Sequence, residues 1–231
     1  MQPSVVLITG QLITNEVWGP QIAALKHKVD FHYAEQSVDD SIPGMALRLL
    51  AGAPDRFHLV GHAMGGFVAL EVMRHAPQRV LSLALLSTLA PNDGPAQTER
   101  RQGYIKLVKD GRFAQVIEDR IPLLVHPARR EDQPILTAIR RMARDTGEEI
   151  FLRQQRAIMT RSDSRPILAG ITCPTLVVWG RHDGLCSLEH QQQLHYAIAG
   201  SRLEVIEHCG HLVTLEMPAT VSSILERWLK S

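Results

Sequence analysis

The stretch VGHAMGG, residues 60–66, decides how this chain is read. Before it, FHLV (57–60) is a short apolar run of strand type. After it, Val68, Ala69, Val72 and Met73 share one side of a helical pattern that stops before Pro77. A strand that turns straight into a helix needs small residues where the backbones crowd. Gly61, Gly65 and Gly66 supply them around Ala63. The spacing is that of a nucleophile elbow, G-x-S-x-G, with alanine where serine is expected. It is not a dinucleotide fingerprint, which needs GxGxxG, nor a P-loop, because no Gly-Lys-Ser/Thr follows. Standing alone, it would be no more than a glycine-rich turn, so its meaning depends on its surroundings.

Outward from the elbow, short apolar runs alternate with helical patterns. Strands are expected at 4–9 (SVVLIT), 29–34, 57–60, 80–86, 175–179 (TLVVW) and 203–206. Helices are expected at 18–25, 42–50, 65–75 and from about 219 to 229. The alternation predicts an α/β fold: a mostly parallel sheet of about six strands flanked by helices. It breaks between about residues 91 and 170, where all patterns are helical. That stretch is expected to be a helical cap, with residues 1–90 and 171–231 forming the core. Its charge also differs. It holds 15 Lys+Arg against 11 Asp+Glu, a net of +4, while the remainder nets −3.

In parallel sheets, ligands bind beyond the carboxyl ends of the strands. Two further residues fall there. GRHDG places Asp183 after the fifth strand, and EHCGH places His211 after the sixth. Taken singly, Asp183 is a solvated loop residue and His211 a turn histidine. Together with the elbow they supply a nucleophile position, an acid and a base, the three groups that a catalytic triad uses. A histidine takes a proton effectively when a carboxylate holds its other ring nitrogen. His208 is the second candidate for the base. His62 is expected to pack beneath the elbow and His182 to be a plain loop residue.

The whole chain resembles the α/β-hydrolase fold superfamily, in particular its small carboxylesterase-like members. ITGQLITNEVWGPQIAAL (8–25) is similar to the oxyanion-loop segment, with Thr9 where a histidine usually stands. GHAMGG (61–66) matches GHSMGG except for the serine. CPTLVVWGRHDGLCSLEH (173–190) and HCGHLVTLEMP (208–218) match the acid and histidine segments. One family segment, D-x-R-G-x-G-x-S, is missing, and EQSVDDSI (35–42) stands in its place. The resemblance implies a Ser-His-Asp site at Ala63, His211 and Asp183, with the backbone N–H groups of Gln11 and Met64 as oxyanion donors. Leu12, Ile13, Leu124, Leu185 and Leu212 are expected as substrate-binding walls. No cofactor and no metal are implied.

The totals exclude other classes. A net charge of +1 gives no global signal for nucleic acid. No apolar run approaches the roughly 20 residues that cross a bilayer, and the N-terminal residues do not read as a signal peptide, so no membrane partner and a cytoplasmic location are expected. Cys173, Cys186 and Cys209 show no zinc spacing and are expected to pack as small hydrophobes. The expected partner is a small-molecule ester, with no prediction of oligomeric state. The arginine-rich cap admits an ester that carries a carboxylate. Ala63 is expected to leave a form that binds substrate without cleaving it, as a nucleophile knockout would. The alternatives are a ligand-binding or receptor-like relative, and another chemistry of the same triad: a carbon–carbon hydrolase, a lactonase or a perhydrolase.

Overall fold

The computed structural model describes residues 2–230. The chain runs β1 (Ser4–Ile8), α1 (Gly19–Leu25), β2 (Asp30–Tyr33), α2 (Ile42–Gly52), β3 (Phe57–His62), α3 (Met64–His75) and β4 (Val80–Leu86). It continues with α4 (Pro95–Lys109), α5 (Phe113–Leu124) and α6 (Gln133–Met159), then β5 (Thr175–Gly180), α7 (Leu188–Ala197), β6 (Arg202–Ile206), α8 (Val213–Glu216) and α9 (Pro218–Trp228). The six strands form one sheet in the order β2-β1-β3-β4-β5-β6, and every neighbouring pair is parallel.

Side chains alternate across a strand, so a sheet buried on both faces sends neighbours to opposite cores. Val5 and Leu7 of β1 join Trp18 and Trp228 under α1 and α9, whereas Val6 and Ile8 join Met45 and Val68 under α2 and α3. The strand expectations hold to within a residue or two. The expected helix at 18–25 is a 3₁₀ turn (Asn15–Trp18) that passes into α1 at Gly19. Helix α7 was not anticipated. Its sequence, LEHQQQLHYA, is polar, and it docks mainly through buried Leu194 and buried Gln191, so its apolar period is faint.

The segment between β4 and β5 contains α4, α5 and α6 and no strand. Val108, Phe113, Val116, Ile117, Ala143 and Phe151 cluster there with Leu12 of the core. Helix α6 is broken at Gly147, where φ is 77° and ψ 171°. Such a positive φ suits glycine. Among the described residues, no helix is long and apolar enough to cross a membrane.

Candidate active site

The registers Ile8↔Gly61, His62↔Leu86 and Gly180↔Ile206 align the carboxyl ends of the strands on one edge. The loops leaving that edge carry Gln11, Ala63, Asp183 and His211. Ala63 has φ 53° and ψ −115°. A non-glycine residue pays strain there, on the order of 1–3 kcal/mol, and holds it only where its surroundings dictate it. The neighbours dictate it closely. A Cβ on Gly65 would stand 2.3 Å from the Ile8 carbonyl oxygen, and one on Gly61 2.5 Å from the Gly65 oxygen. A Cβ on Gly66 would meet Thr88 Oγ1 at 2.3 Å. The glycines therefore let the elbow close against β1 and β4.

The expected base and acid meet. Nδ1 of His211 lies 2.8 Å from Oδ2 of Asp183, and both side chains are almost wholly buried. The other carboxylate oxygen, Oδ1, accepts from the backbone N–H of Leu185 at 2.8 Å and of Cys186 at 3.0 Å. Asp183 is thus fixed by its own turn and orients the imidazole. The N–H groups of His211 and Leu212 both donate to the carbonyl of Leu124, at the end of α5. His62 lies beneath the elbow, with Nε2 3.0 Å from the His211 carbonyl oxygen, to which it donates. Burial pushes the His62 pKa down to about 3, so it is neutral and serves as a strut. Glu216 accepts from the N–H of Gly210 at 3.0 Å and of His126 at 2.7 Å, and burial pushes its pKa up.

The loop after β1 abuts the elbow: a Cβ on Gly10 would meet Ala63 Cβ at 3.1 Å. Gln36 pins this loop, accepting from both the N–H and Oγ1 of Thr9 and donating to the Thr9 carbonyl. Gln154 accepts from the Leu12 N–H at 3.2 Å. Among the described residues, the N–H of Gln11 has no acceptor. Met64 opens α3, where an N–H has no partner within the helix.

A cavity of about 290 Å³ lies over these groups, lined by Gln11, Ile13, Ala63, Met64, Leu124, Leu185 and His211 among others. Two expected walls are not part of it. Leu12 and Leu212 border a smaller neighbouring void instead. Leu12 has φ 58°, which turns it toward the cap cluster, and Leu212 is fully buried in the core. His208 stands apart from Asp183, stacked near His182 and His126 on the outer side of the loops. Cys186 lines the cavity, but burial and the Asp183 charge hold its pKa well above the usual thiol value. Its sulfur, Asp183 and His211 offer donor atoms within 4.8 Å of one another. Asp183 and His211 are already bonded together and the thiol stays protonated, so the group suits proton transfer better than metal binding.

The reading from sequence did not reach Gln36, Gln154, Glu216, Arg120 or Arg161. A signal for Arg120 existed. In VIEDRIPLL it falls at helical spacing from Ile117 and Leu124, an arginine on the apolar face of α5.

The Alpha/beta hydrolase family matches residues 21–224. The chain is 27% identical to the putative carbamate hydrolase RutD of Serratia proteamaculans, over 99% of this chain and 91% of the relative. It is 28% identical to the 2-hydroxy-6-oxo-6-phenylhexa-2,4-dienoate hydrolase of Comamonas testosteroni, over 81% of this chain and 69% of that enzyme. Among solved structures, a thermophilic esterase from Thermogutta terrifontis, with malate bound, superposes with a TM-score of 0.89 at 25% identity, over 100% of this chain and 90% of that one.

Proposed function

The chain belongs to the Alpha/beta hydrolase family, and from that premise we propose that its site is built for carboxylic-ester hydrolysis and, with Ala63 in place, binds its ester without cleaving it. The observation that carries this reading is the buried Asp183–His211 pair beside an alanine held at φ 53° under a cavity. A serine at position 63 would attack the ester carbonyl while His211 takes its proton. The N–H groups of Gln11 and Met64 would stabilise the oxyanion, each such donor contributing roughly 3 kcal/mol. The protonated His211 would then return its proton to the departing alcohol. Water, activated by the same histidine, would release the acid and restore the serine. Alanine removes the bond-forming oxygen and leaves the other groups, which separates binding from cleavage.

Relatives named for carbamate and carbon–carbon bond hydrolysis share the family, so the test uses a panel. Ala63→Ser is assayed on p-nitrophenyl esters, lactones, carbamates and diketones. Loss of the serine from a hydrolytic triad lowers kcat on the order of 10⁶-fold, so the serine form should gain ester turnover by a comparable factor. A folded Ala63→Ser protein no faster than the alanine chain on the whole panel would overturn the hydrolase reading. Turnover confined to carbamates or diketones would replace ester hydrolysis by that chemistry.

A further inference from the structure

The cavity over Ala63 is basic on its cap side. Its charged lining consists of four arginines, Arg100, Arg101, Arg120 and Arg161, and one acid, Asp93. Asp93 is already engaged by two of them. Arg101 bonds one of its oxygens and Arg161 the other, the latter at 2.7 Å. Arg161 also donates to the carbonyls of Ile158 and Pro91 and lies over the Phe67 ring. Its charge is thus met inside the protein, by Asp93, although its buried Nε has no partner.

Arg120 is placed otherwise. Its one hydrogen-bond partner among the described residues is neutral, Oε1 of Gln11 at 2.9 Å, and no carboxylate pairs with it. Burial pushes its pKa down to about 10, Arg101 and Arg100 push the same way, and Tyr104 opposes them. The guanidinium is nonetheless charged at neutral pH. A half-buried guanidinium without a counter-charge favours an anion beside it. Gln11 repeats the signal. Its Oε1 is turned to Arg120, and its buried Nε2 has no partner. A guanidinium without a counter-charge and an amide N–H without an acceptor thus stand side by side, next to the backbone N–H assigned to the oxyanion.

We infer that an ionised carboxylate of the substrate seats on Arg120 and the Gln11 amide, so that the site prefers monoesters of short dicarboxylic acids over neutral esters. The inference rests on the ester reading above. The planar fork of Arg120, beside the unpartnered Gln11 amide N–H, fits the two oxygens of a carboxylate.

The test starts with the chain as it stands. Binding of monomethyl and dimethyl glutarate to the Ala63 protein is measured by calorimetry, with methyl phosphate as the third probe. The monoester should bind at least about tenfold tighter than the diester, the factor that about 1.4 kcal/mol represents. Arg120→Gln should bring the ratio near one. Equal affinities in the unaltered chain overturn the inference, whether or not the variant folds, and tighter binding of methyl phosphate overturns the choice of carboxylate. The Ala63→Ser form separates the two claims. Turnover of both glutarate esters at equal kcat/KM would keep ester hydrolysis and sink the carboxylate subsite. Selective binding of the monoester with no turnover would do the reverse.

Discussion

Asp183 lies behind His211 beneath the cavity, and Arg120 lines its cap side, half-buried. Asp183, in the floor, has its needs met by the protein: His211 on one oxygen, two backbone N–H groups on the other. Arg120, in the roof, meets one neutral oxygen and no counter-charge. The floor is closed chemistry, set by strand ends and glycines that admit no larger residue. The roof is open, with donors that await something the chain does not contain. The difference separates what can react from what can be chosen. At the site the halves are joined by Leu124 to the His211 loop, Leu123 to Gly184, Gln154 to Leu12, Arg120 to Gln11 and Glu216 to His126, and farther out by pairs such as Arg141 with Glu16 and Arg156 with Asp40.

The comparison breaks first if floor and roof substitutions act alike. In the Ala63→Ser background, Asp183→Asn should lower kcat on the order of 10⁴-fold, because the imidazole would take the wrong tautomer. His211→Ala should be at least as severe, and His208→Ala should fall within a few-fold of its parent, as measured by steady-state ester hydrolysis. A collapse of kcat in His208→Ala with activity kept in His211→Ala would reverse the assignment of the base.

Glycines test the same contrast through stability. Gly65→Ala must place a Cβ against backbone at 2.3 Å, so urea unfolding should show a loss of about 3–5 kcal/mol, or no folded protein. Gly147→Ala meets nothing within 4 Å and bears only its positive φ, so it should lose about 1–2 kcal/mol. Equal losses would mean that the roof is packed as tightly as the floor.

The pH dependence of melting sharpens the account of the floor. His62 has a folded pKa of about 3, below the ordinary value near 6.5. Between those values the unfolded chain binds the extra proton, so stability is present above about 6.5 and lost as pH falls. The slope from this group is at most about 1.4 kcal/mol per pH unit. His58, also lowered by burial, adds to the same limb. His62→Gln should flatten it between pH 6.5 and 4.5. An unchanged limb would show that His62 does not carry it.

The smallest effect belongs to the outer face of the roof. Arg140 pairs with Glu118 through two bonds, at 2.7 and 2.8 Å, in partial exposure to solvent. Arg140→Gln should change stability by less than about 1 kcal/mol and leave the monoester-to-diester ratio untouched. A shift in that ratio would mean that cap charge acts at a distance rather than through Arg120.

The sequence made the floor legible and the roof much less so. β4 was read at its observed ends because an apolar run between breakers is a local signal. Asp183 and His211 followed from their places just past strand ends. Gln36, Gln154 and Glu216 could not be read that way. Each acts on a loop backbone far away in sequence, 142 residues for Gln154 and Leu12, and carries no local mark. The cap arginines were visible as a surplus, but only packing divides Arg120 and Arg161, inside, from Arg140 and Arg141, outside. Leu12 was expected among the substrate-binding walls, but with φ at 58° it packs in the cap cluster instead.

The conformation of Ala63 bears on how the chain could change by descent. Its strain serves an exposed side-chain oxygen, and alanine has none. A site abandoned by selection would be free to relax that turn with a glycine or to fill the space beneath it, and each such step would make return harder. Here the turn is drawn tight, Asp183 and His211 touch, and alanine codons of the form GCN stand one base from serine codons of the form UCN. A single base change would therefore place a serine at this turn, beside the Asp183–His211 pair, with the backbone geometry already in place.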